Sequence, residues 1–200
     1  MNRFFETSFL TWEITSGKNL RFVEDTFEHL NYLEDNERDT WKHTETSDYY
    51  FQQRPIGGER PFSLLNLNIS TAEFISILSD YGLASEEKIV FVEDNGMEQH
   101  REQIQNTGCF SNSSYAIFFS SENNIVKFIW LDYEDRISLE HDRLAIGNLL
   151  TYFGENYSFV LIDWYDKLVI DLSNKEATIQ YLNDTADDNE AFFQRIKDNK

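Results

Sequence analysis

Cys109, in the run Thr107-Gly108-Cys109-Phe110, is the one thiol in the chain. Nucleophilic catalysis would require it to lie beside a base such as His43, His100 or His141. The fold could bring one of them there, but a free cysteine entering an apolar strand is more commonly an inert, small buried hydrophobe. His29, His43, His100 and His141 are too far apart for the paired-histidine pattern of a helical zinc or iron site, and Glu140-His141-Asp142 puts neighbours on different helix faces. Gly57-Gly58 is followed by Glu-Arg-Pro, not by the Gly-Lys-Ser/Thr ending of a phosphate-cradling loop, and reads as a turn. Asp163 with Asp166, and Asp132 with Asp135, could supply the carboxylate pair of acid/base hydrolysis, but a chain with 36 Asp and Glu assembles such pairs by composition alone. No catalytic residue, cofactor or metal ligand is expected.

Carboxylates are also interleaved with large rings, in Asp48-Tyr49-Tyr50, Asp132-Tyr133-Glu134-Asp135 and Asp163-Trp164-Tyr165-Asp166. Tyr and Trp are rigid interface anchors, and acids beside them steer and orient a basic partner. The same residues also read as core rings with solvated acids around them, and the sequence leaves both readings open. Asp132, Tyr133, Glu134, Asp135, Asp163, Trp164, Tyr165 and Asp166 form the expected partner-contact set.

Charge bears on the choice. Asp plus Glu number 36 against 17 Lys plus Arg, giving a net charge of −19 and a pI near 4.4. From Trp130 to Glu190 fourteen acids face four Lys and Arg. Phosphate contacts are made by Lys and Arg, so direct nucleic-acid binding is disfavoured, as is an anionic membrane surface. Self-repulsion at this charge opposes compaction, which points to an electrostatic use, although solubility alone also benefits from acids. Seventeen Phe, ten Tyr and four Trp distinguish the chain from disordered acidic sequences. One Cys excludes an intramolecular disulfide framework. No run reaches the roughly 18 apolar residues of a membrane span, and Glu6 and Glu13 interrupt any signal-like core, so a cytoplasmic protein is expected.

These residues must be positioned by elements whose periods are legible. Leu10, Trp12 and Ile14 alternate with Thr11 and Glu13, predicting a half-buried strand over 9–14. Phe22, Val23, Phe27, Leu30 and Leu33 predict an amphipathic helix over 21–33 with Glu24, Asp25 and Glu28 outward. A polar stretch follows, and the segment 49–69 looks extended, with a hinge or long hairpin loop expected at 54–61. Ser70 and Glu73 form a capping box before Phe74, Ile75, Leu78 and Tyr81. A strand is expected at 88–92 and a weakly helical segment at 97–105. Hairpins follow at about 115–133, turning at Asn123-Asn124, and at about 157–172. Between them Ser138 caps a helix carrying Ile146, Leu149, Leu150 and Phe153, with Gly154 as its stop, and a capping box of Ser173 and Glu176 opens the next helix. Hairpins without regular strand–helix alternation predict one α+β domain over 1–200, with a mostly antiparallel sheet packed by amphipathic helices.

In type, the chain resembles the small acidic immunity proteins of bacterial polymorphic and contact-dependent toxin systems: short, Cys-poor, α+β, with acids beside Tyr and Trp at 132–135 and 163–166. That resemblance implies a cytoplasmic inhibitor, not an enzyme, which binds a cognate toxin domain with a basic cleft, such as a nuclease. Two other classes stand beside it. A phage or plasmid nucleic-acid mimic would need extended acidic rows, and an enzyme with a scattered carboxylate or Cys/His site would need a pocket that assembles them.

Overall fold

The computed structural model describes residues 3–5, 12–41, 60–92, 98–102, 106–112, 115–133 and 140–185. The fold is α+β. Its main sheet has seven antiparallel strands in the order β10-β9-β2-β8-β7-β6-β3, where β2 is Trp12–Ser16, β3 Ala84–Ser85, β6 Thr107–Ser111, β7 Tyr115–Glu122, β8 Ile125–Tyr133, β9 Phe159–Asp163 and β10 Leu168–Asp171. A second sheet joins β1 (Arg3–Phe5), β4 (Lys88–Val92) and β5 (Glu98–Glu102), with β1 parallel to β4. The N-terminal strand β2 lies between the two predicted hairpins, pairing with β8 on one side and β9 on the other.

Both hairpins close as their turn residues dictate. Asn123 and Asn124 take φ of 52° and 63°, the left-handed pair that a two-residue turn matched to strand twist requires. Lys127 is an extra residue on β8: Ser120 pairs with Phe128 and Ser121 with Val126. This bulge turns Val126 to the same core as Ile129 and Leu131.

Alternate residues of β9 serve two layers. Phe159 and Leu161 pack with Ile14, Ile117, Phe119, Ile129 and Leu131 against α2 (Thr71–Asp80), α3 (Glu140–Tyr157) and α4 (175–185). Val160 and Ile162 pack on the opposite face with Val23 and Leu30 of α1 (Leu20–Trp41). A strand covered on both faces explains the unbroken apolar run at 159–162.

The Ser70 cap forms as its sequence predicts, its Oγ accepting from Glu73 N at 3.1 Å. Several other expectations are corrected. The segment 98–102 is a strand, because β4 offers it a complete antiparallel ladder that its weak local preference cannot oppose. Leu64–Leu67 is a 3-10 turn inside the stretch expected to be extended, and α1 continues past Leu33 to Trp41. Gly154 does not stop α3, which runs to Tyr157 and ends at Ser158, where φ is 55° and the amide donates to Gly154 O. The cap of α4 is Asn174, whose Oδ1 accepts from Ala177 N at 3.1 Å, while Ser173 Oγ donates to Asp171. The loop at 54–59, the Ser138 cap and Asp48-Tyr49-Tyr50 lie outside the described residues.

Candidate functional site

The second acid–aromatic cluster splits between core and surface. Asp163 ends β9 and is buried, with both oxygens engaged. Its Oδ1 accepts from the amides of Tyr165 (2.9 Å) and Asp166 (3.0 Å), and its Oδ2 from Trp12 Nε1 (3.0 Å) and Tyr181 OH (2.6 Å). A single carboxylate thereby shapes the β9–β10 turn and ties it to α4. Trp164 is fully buried, edge-on to Phe27 of α1 with ring centroids 5.5 Å apart. Asp163 and Trp164 are therefore not surface contacts but the frame of the turn: burying an indole is worth about 3 kcal/mol, more than an exposed position could return.

Trp164 Nε1 donates to Glu13 Oε2 at 3.1 Å, and the Arg60 guanidinium donates to both oxygens of Glu13. Glu13, expected to face water, is instead buried beneath α1, and Arg60, set against the rings of Phe22 and Trp164, supplies its counter-charge. The pair fastens the 60–67 segment to β2. It lines a cavity of about 400 Å³ together with Phe62, Glu122, Lys127 and Phe128. Both carboxylates there have cationic partners, Glu13 in Arg60 and Glu122 in Lys127 at 2.9 Å.

The surface at this end is built from what remains. Tyr165 is 75 % exposed at the tip of the turn, with Asp166 exposed beside it. Lys167 Nζ donates to Asn31 Oδ1 at 2.8 Å, holding the turn against α1. The outer face of α1 presents Glu24, Asp25, Glu28 and the exposed Tyr32. Helical spacing places these four on one stripe together with the exposed Arg21, three acids to one base.

Of the first cluster the structure describes the strand end alone. Asp132 is buried on β8, Tyr133 ends that strand, and Glu134 and Asp135 lie outside the described residues. The register nevertheless sets the ends of β8 and β9 at the same end of the sheet, on either side of β2, because Trp12 pairs with both Leu131 and Asp163. Cys109 is fully buried with Ala116 and Phe118. Burial first, then the carboxylates of Glu86 and Asp132, push its thiol well above the ordinary value, the reverse of what a nucleophile needs.

A further acid–aromatic group is assembled only by folding: Tyr81 after α2 with Tyr152, Glu155 and Tyr157 of α3. Tyr152 lies 5.7 Å from the Tyr81 ring and 6.2 Å from that of Tyr157, whose hydroxyl donates to Glu73 Oε1 at 3.0 Å. Burial and then this bond raise the Tyr157 phenol strongly; burial, Tyr152 and Glu155 raise that of Tyr81. Adjacency in sequence could not reveal this group. Its only signal was the aromatic stripe of each helix.

Among the described residues no group of three or more His, Cys, Asp and Glu is arranged to hold a metal ion, and no helix is long and apolar enough to cross a membrane. Comparison with protein-family models, curated proteins and solved structures finds no match.

Proposed function

We propose that this protein is a binding protein that neutralises a basic partner, in the manner of an immunity protein covering the active-site cleft of a cognate toxin. The reading is carried by one observation: Tyr165, 75 % exposed, stands beside the exposed Asp166 on a turn held from beneath by Asp163 and tied to α1 through Lys167 and Asn31. A turn backbone fixed before binding loses little freedom on contact, and carboxylates near the ring favour a positively charged groove over other surfaces. Asp166, Glu24, Asp25 and Glu28 supply the field, Tyr165 and Tyr32 the apolar contact. The chain's charge of −19 strengthens both long-range attraction and salt sensitivity.

The test is affinity purification from the native host with the wild-type chain and a Tyr165→Ala/Asp166→Asn variant as parallel baits. A basic protein retained by the first and depleted by the second supports the reading. Equal retention by both baits contradicts this site. A partner of acidic surface contradicts the function.

A further inference from the structure

The outer edge of β10 follows directly on the Tyr165 turn. Strand β10 ends the seven-stranded sheet, and among the described residues only β9 pairs with it. Natural edges are blunted by proline, lysine or a bulge. Leu168–Asp171 contains none of these, its ladder to β9 is regular, and Leu168 is 47 % exposed. The neighbouring Lys167 is drawn aside to Asn31. The opposite edge of the sheet, β3, has only two residues, after which Glu86 N donates to Cys109 O.

We propose that β10 is the docking edge for a basic extended segment of the partner, which adds to the sheet as a further strand. This rests on the function proposed above and gives its mode of contact. Main-chain hydrogen bonds to the edge would supply pairing, Tyr165 and Leu168 the apolar contact, and the charge of the surroundings the selection of partner. Asp171 ends the edge and Asp166 precedes it, and the chain around them carries a large acidic surplus. That surplus matches a strand alternating Lys or Arg with apolar residues. A second copy of this chain would bring the same acids against themselves on a body of charge −19, so self-pairing is opposed.

The test uses the full chain with two synthetic decapeptides of equal charge, one alternating Lys with Val and the other Lys with Pro. The first can add as a strand and the second cannot. The valine peptide should bind about tenfold tighter, the difference expected from one or two net main-chain hydrogen bonds, and should slow hydrogen exchange at amides within 168–171. Leu168→Lys, at an exposed position, should weaken that peptide by a similar factor while leaving Tm unchanged. Equal binding of both peptides without protection of β10 would overturn edge addition and leave the acidic-surface reading standing. No binding of either would count against both. Dimerisation of the free chain through β10 would overturn the choice of partner.

Discussion

Gly154 lies inside α3, where alanine would ordinarily gain about 1 kcal/mol from helix propensity. A Cβ there would stand 2.1 Å from Leu172 C and 2.2 Å from Ser173 N, backbone atoms of the connection between β10 and α4. That connection cannot yield without moving the turn capped by Asp171. Gly154→Ala is therefore expected to lose about 3 kcal/mol, the steric cost exceeding the propensity gain, as measured by denaturant unfolding. A neutral or stabilising result would mean that the close approach relaxes freely. At Cys109, burial and two nearby carboxylates disfavour the thiolate. Its alkylation by iodoacetamide at neutral pH should be at least about a hundredfold slower in the folded chain than in denaturant, and comparable rates would contradict this account.

Among the elements, the junction of α2 with α3 has a definite pH signature. The Tyr157 phenol is raised above its ordinary value of 10.0 by burial and by Glu73. A group whose pKa is higher folded than unfolded stabilises fully below the unfolded value and loses that contribution as pH rises through the folded one. Stability should thus decline from about pH 10 upward, and Tyr157→Phe should decline less steeply over the same range. Identical slopes would assign the alkaline loss elsewhere. The helices meeting here were legible from apolar period and from the Ser70 cap, and both hairpins from alternation and Asn123-Asn124. What escaped was decided by partners distant in sequence. The strand at 98–102 depends on β4, the burial of Glu13 on Arg60, and the role of Gly154 on Leu172. For the site, the sequence indicated the acid–aromatic turn but not which way its rings point. Trp164 turns inward because α1 offers Phe27 and Glu13 offers an acceptor, leaving Tyr165 as the exposed ring.

For the whole molecule, an acidic surplus of −19 gives a body whose attraction to cations is long-ranged and readily screened. The Tyr165 turn stands next to β10, which among the described residues pairs with β9 alone. Truncating Tyr165 to alanine should cost the complex about 2 kcal/mol, the scale of an interface anchor, with Tm unchanged because the ring is exposed. The most direct measurement is the activity of the recovered partner during titration with this protein, at low and at high salt. Neutralisation predicts that activity falls to background at an equimolar ratio and that inhibition weakens steeply as salt rises. Activity undiminished at molar excess, or inhibition indifferent to salt, would contradict it.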